Sequence, residues 1–184
     1  MRITARLDES TVKQLLEELL PVTVMLDDED VDRWIRIDPA NRVDFAAGEG
    51  LRVAVAGQLS WKLAGVQVTL TIHAAQLLLR PAVVGEGTEG RLLFRPSLEK
   101  MDLKNVPGLV DSGIAGLVNM RLENEGDRLA WHFGRDLTAR FPMGKDFADV
   151  ESFVLGVGTA AVTVLADAIV LDLPLALGFS RKTA

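Results

Sequence analysis

The chain contains no cysteine, no tyrosine and only two histidines. Without cysteine there is no disulfide, no thiol nucleophile and no thiolate metal ligand, although the compartment stays open. Two histidines alone do not supply a structural zinc site. Aromatic residues are scarce, at 5% of 184 residues, while 48% are hydrophobic, so the apolar material is mainly Leu, Val and Ala. Basic residues are in deficit too: 20 Lys and Arg against 26 Asp and Glu leave a net charge of −6, with a pI near 5.0. Nucleic acid is therefore excluded as a partner, because it demands a basic face that releases counterions. Simple electrostatic docking on anionic membranes is excluded for the same reason.

An uninterrupted hydrophobic run is missing as well. The first eight residues hold no apolar segment of signal-peptide type. The most membrane-like stretch, residues 160–179, carries Asp167, Asp172 and Pro174; a central Asp costs about 2.5–3.5 kcal/mol on insertion scales, so no transmembrane segment is read. The expectation is a soluble, cytoplasmic protein, or a periplasmic or secreted one if a leader has been removed. A length of 184 residues suits one domain over 1–184 with a core of its own. Mean hydropathy is high, at +0.21.

What the chain does have is a long alternating region, residues 51–104. Leu51, Val53, Val55, Leu59, Trp61 and Leu63 occupy odd positions against Arg52, Gln58, Ser60 and Lys62. Past Ala64-Gly65 the even positions become apolar: Val66, Val68, Leu70, Ile72 and Ala74. Period 2 over about a dozen residues exceeds the usual strand of roughly 5–6. Turns are expected at Ala64-Gly65 and over residues 85–90, and Pro96 marks a bulge or an edge.

Two helices flank this meander. The first begins at Asp8 or Ser10 and carries Val12, Leu15, Leu16, Leu19 and Leu20 on one stripe before Pro21 stops it. The second is predicted over 105–126, capped by Asn105, with Pro107 in its first turn and an apolar stripe of Val110, Ile114, Leu117, Val118 and Leu122. Gly108, Gly113 and Gly116 weaken it by up to about 1 kcal/mol each, which suggests close approach to a neighbour. Short strands are read at 3–7, 22–26, 34–37 and 43–45. From Leu129 an alternating row runs through Trp131, Phe133, Arg135, Leu137, Ala139 and Phe141 as one strand. A loop over 143–149 precedes strands from Val150 and over 162–166, then a last one through Phe179, where Pro174 suggests an edge. The order gives an α+β fold with a large antiparallel sheet.

No catalytic motif emerges. Gly85, Gly87 and Gly90 match G-x-G-x-x-G, but Glu86 and Glu89 would repel phosphate and a strand follows where a helix is needed, so a hairpin turn is read. Gly156-Val-Gly158 is a turn or bulge, with too little chain behind it for a dinucleotide-binding unit. Asp28, Asp30 and Asp32 have the spacing of a calcium loop, yet Arg33 stands where Gly belongs and Pro39 where Glu belongs. That run reads as a solvated acidic turn. His73 and His132 have no partner at ligand spacing, and no G-x-S-x-G elbow exists. Arg135 interrupts an apolar row. Its structural reading, a stem that packs while the head snorkels or pairs with a carboxylate, is preferred to a contact with an anionic head group.

The amphipathic first helix, the long strands of 51–104, the Gly-bearing helix 105–126 and the closing strands resemble the tubular lipid-binding superfamily. That group includes the bactericidal/permeability-increasing protein domains and the synaptotagmin-like mitochondrial lipid-binding domains. The resemblance implies a long, highly curved antiparallel sheet wrapped around an amphipathic helix, with a second helix near the N-terminus. It also implies a groove for lipid or fatty-acyl chains and no catalytic residues, hence a non-enzymatic protein; no metal and no cofactor are expected. In that frame the groove is lined by Leu59, Trp61, Val68, Leu70 and Ile72 of the meander and by Val110, Ile114 and Leu117 of the helix. Trp131, Phe133 and Arg135 complete it. A single module leaves a tube open, so a homodimer is a further expectation. Two alternatives stand beside this one. One is a structural or protein-interaction module with a filled core; the other is an enzyme whose site is built from dispersed residues such as His73 or His132.

Overall fold

The computed structural model describes residues 1–63, 65–104, 108–124, 130–142 and 150–181, without the side chains of 63, 108–113, 123–124, 150 and 180–181. The elements in order are β1 (Arg2–Asp8), α1 (Glu9–Leu19), β2 (Val22–Met25), β3 (Trp34–Ile37), β4 (Arg42–Ala46), β5 (Gly50–Leu63) and β6 (Val66–Val84). A 3-10 turn (Gly87–Glu89) leads to β7 (Arg91–Leu103), α2 (Gly108–Asn124), β8 (Ala130–Trp131), α3 (Phe133–Asp136), β9 (Ala139–Pro142), β10 (Val150–Val157), β11 (Ala161–Val164) and β12 (Ala168–Arg181). The fold is α+β, built from highly curved antiparallel half-barrel sheets and a few helices.

Among the described residues the strands form two sheets. One runs β2-β3-β5-β6-β7-β8, with β4 beside β3 on the same flank of β5; the other runs β1-β12-β10-β9, with β11 also on β12. The alternating odd residues of β5 explain the first sheet: Leu51, Val53, Val55 and Leu59 are all buried, while Arg52, Ala54 and Gln58 stay at or near the surface.

On β6 the even-position pattern holds only as far as Ile72. Gly57 faces Ile72 while Val55 faces Ala75, so His73 and Ala74 form a bulge and the buried face moves to the odd residues Ala75, Leu77 and Leu79. Ala74 is exposed as a result. The expected turns are present: Gly65 (φ +82°) closes β5–β6, and Gly85 (φ +77°) opens the turn into β7.

Two apolar clusters hold the sheets together. The larger joins Val12 and Leu16 of α1, and Ile114, Val118 and Leu122 of α2, to the inner face of β5–β7. The smaller packs Leu92 and Phe133 against Leu171, Leu173 and Leu175 of β12. Asp8 caps α1, accepting a hydrogen bond from the Thr11 N–H at 2.9 Å.

Several sequence expectations are corrected. The row from 129 to 141 is not one strand: it breaks into β8, α3 and β9. Phe133 buries in the smaller cluster, and the Gly134 N–H donates to the Gly90 carbonyl at 2.9 Å, which turns the chain helical there. Pro174 is interior rather than at an edge. It faces Arg2 on one side, and on the other it stands where β12 exchanges β11 for β10. A missing N–H costs nothing at such a gap. Gly116 approaches no neighbour, since a Cβ there would meet nothing within 4 Å. The expectations for Asn105, Pro107, Gly126 and the loop 143–149 lie outside the described residues, as do those for the side chains of Leu63, Gly108, Val110 and Gly113.

Candidate functional site

Helix α1 lies over the sheet with half of its apolar stripe unused. Val12 and Leu16 are buried, whereas Leu15 and Leu19 keep 43% and 47% of their surface exposed. Two cavities open beneath it. The first, about 220 Å³, is bounded by Leu15, Leu16 and Leu19 on the helix, Leu79 and Phe94 on the sheet, and Trp131 at its rim. The second, about 170 Å³, is bounded by Leu16, Leu19, Val53, Leu77, Leu79 and Leu122. The cavities adjoin, sharing Leu16, Leu19 and Leu79, and among the described residues no charged side chain lines either one. Apolar walls of this kind favour methylene and methyl groups over a charge.

The residues expected to line a groove are spread over several parts of the fold, and the side chain of Val110 lies outside the described residues. Leu59, Ile72, Ile114 and Phe133 are buried at 0–4% exposure, within the two clusters. Val68 and Leu70 are half-buried near the far end of β6, and Leu117 is 41% exposed on α2. Trp61 lies beneath the Arg33 guanidinium, 5.2 Å from its ring centroid. Arg135 points to solvent on α3 and pairs with Asp136 at 3.5 Å, so the helical turn removes it from the apolar row it was read in. Of that set, Trp131 lines the first cavity beneath α1. The cavity walls also hold Leu15, Leu19, Leu79 and Phe94, which the sequence did not mark as groove residues. The signal available was the excess width of the α1 stripe, which a flat sheet face does not cover.

A larger cleft of about 1090 Å³ lies beside α2. Its charged residues are Arg42, Arg52 and Lys100 with Asp44, Glu99 and Asp102, so it carries no net charge. Arg52 spans Glu99 (3.0 Å) and Glu49 (2.6 Å); the Glu99 hydrogen bond and charge raise its already high pKa. Arg42 likewise pairs with Asp44 at 2.8 Å, and this mutual pairing of its arginines makes the cleft the weaker candidate despite its size.

The acidic run is knitted by cations. Arg33 pairs with Asp27 (3.2 Å) and Asp30 (3.3 Å), Lys62 with Asp30 (3.2 Å), and Arg121 with Asp28 (2.6 Å). Burial pushes the Asp30 carboxyl up, but the Lys62 and Asp32 hydrogen bonds, with the Lys62 and Arg33 charges, bring it below its usual value. Among the described residues no group of His, Asp or Glu is placed to hold a metal ion. His73 is exposed on β6, and His132 is half-buried at the head of α3. No helix among the described residues is long and apolar enough to cross a membrane.

No family model and no curated protein matches the chain. Among solved structures it is similar to the crystal structure of lipopolysaccharide binding protein, with a TM-score of 0.36 and 12% identity over 97% of this chain. The chain spans about half of that neighbour, 50% of its length.

Proposed function

We propose that the chain binds lipid or another hydrophobic ligand without catalysis, holding an apolar chain in the groove between α1 and the curved sheet. The observation that supports this reading is the pair of adjoining cavities beneath α1, whose walls among the described residues are apolar. Each is smaller than the roughly 300–1,000 Å³ of a drug-sized site, and joined they reach its lower end. That capacity suits a single fatty-acyl chain. Each methylene buried contributes about 0.8 kcal/mol. The head group stays outside, past Trp131, because the described residues of the cavity walls carry no charge.

Selectivity for chain length is weak in such a site, since one methylene changes binding by about 1–3 kcal/mol at most. The test is native mass spectrometry and organic extraction of the purified protein, paired with displacement of a fluorescent fatty acid. Leu19→Trp should fill the shared wall and weaken binding at least tenfold, because Leu19 is half-exposed and tolerates the larger ring. Leu117→Trp, away from the groove, should bind as the wild type does. Absence of any bound chain, together with no fatty-acid binding by the folded protein, would leave the filled-core scaffold as the better account.

A further inference from the structure

The edges of the two sheets are treated very differently. Among the described residues, β2, β9 and β11 are only four residues long and β4 five, and β9 ends in Pro142. The outer side of β7 is covered by β8 at Leu92 and Leu93, and by the Asn119 amide at Leu98. Short strands, proline and covering elements are the usual ways of blunting an edge. By contrast β1 is seven residues long, has no proline, and pairs with β12 without a register shift from Arg2↔Pro174 to Asp8↔Ala168. Among the described residues its opposite side pairs with no strand. No charge points inward: Ala5 and Leu7 pack against the two clusters, and Ile3 on the same face is 40% exposed.

We propose that this free edge pairs antiparallel with β1 of a second copy of the chain, across a two-fold axis at Ala5. In that register Arg2 stands opposite Asp8 of the second copy, Ile3 opposite Leu7, Thr4 opposite Arg6 and Ala5 opposite Ala5. Apolar residues meet apolar ones on the inner face, and opposite charges meet on the outer face. The neighbouring registers fail. A two-fold at Thr4 puts Arg2 against Arg6, a like-charge pair, and one at Arg6 puts that arginine against itself. A two-fold between residues sets the core face of one copy beside the solvent face of the other. The polar ends are ready for this pairing. Asp8 Oδ1 takes all three of its hydrogen bonds, from the Thr11 N–H, Thr11 Oγ1 and Ser10 Oγ, which leaves Oδ2 without a donor among the described residues. Arg2 is exposed and has no ion pair among them. Roughly six backbone hydrogen bonds would join the strands.

The experiment is sedimentation of the full chain combined with thiol crosslinking, which the lack of native cysteine keeps unambiguous. Ala5→Cys places two thiols face to face, with Cβ atoms roughly 4.5–5.5 Å apart, within reach of a short bis-methanethiosulfonate. Ile3→Cys places them about four residues apart along the strands, roughly 14 Å. The expected result is a dimer that crosslinks in high yield through Ala5→Cys and in low yield through Ile3→Cys. Arg2→Glu, still folded by circular dichroism, should raise the dimer dissociation constant about tenfold. A monomer at tens of micromolar overturns the proposal. So does a dimer that crosslinks equally at both positions, or one indifferent to Arg2→Glu.

Discussion

Asn119 offers the sharpest test of how α2 is attached. The β6–β7 register slips between Gln76↔Lys100 and Leu77↔Leu98, so Glu99 is the extra residue of a bulge. The Asn119 carboxamide stands beside it: Oδ1 accepts from the Leu98 N–H at 2.5 Å, and Nδ2 donates to the Leu98 carbonyl at 3.1 Å. One side chain thus does for Leu98 what a neighbouring strand would do. Asn119→Ala removes both partners. Each orphaned backbone group costs about 1–3 kcal/mol when fully buried, and these are partly buried, so the sum is about 2 kcal/mol. At 2–4 °C per kcal/mol for a chain of this size, Tm should fall by about 4–8 °C. Asn119→Asp should be at least as harmful, because it keeps the acceptor but sets a carboxylate against the Leu98 carbonyl. Denaturant unfolding gives the energy, and hydrogen exchange at the Leu98 amide gives the location. If Asn119→Ala unfolds within 0.5 kcal/mol of the wild type and the Leu98 amide stays equally protected, the amide clamp contributes nothing.

Glycine substitutions should diverge. A Cβ on Gly134 would run into the Gly87 carbonyl and approach the Gly90 nitrogen at 2.6 Å, so Gly134→Ala should lower stability by about 3 kcal/mol. Gly116→Ala, in open space within α2, should raise it by about 0.5–1 kcal/mol, both read from thermal melts. The Thr11 N–H, then Ser10 and the Thr11 hydroxyl, hold the Asp8 carboxyl at about 2 against an ordinary 3.8. A folded-state pKa depressed in this way adds stability above pH 3.8 and loses it as pH falls toward 2. The Thr11 amide should therefore lose exchange protection between pH 4 and 2, and Asp8→Asn should flatten that dependence.

The sequence by itself determined the α+β class, the order of elements as far as α2 and the limits of α1. These follow from local chemistry: Asp8 caps, Pro21 stops, and period-2 alternation marks β5 residue by residue. Tertiary structure decided where that periodicity breaks. Nothing local at His73-Ala74 announces the bulge that moves the buried face of β6, because the register is set by pairing with β5 and β7 at once. Residues 129–141 alternate as well as any strand, yet the fit of Phe133 and Gly134 against Gly90 overrides the pattern. The cavities had the same origin. Leu15 and Leu19 were legible as apolar, but whether a neighbour covers them depends on the curvature of a sheet whose strands lie far apart in sequence. The leftover space beneath α1 is a property of that curvature and of no single segment.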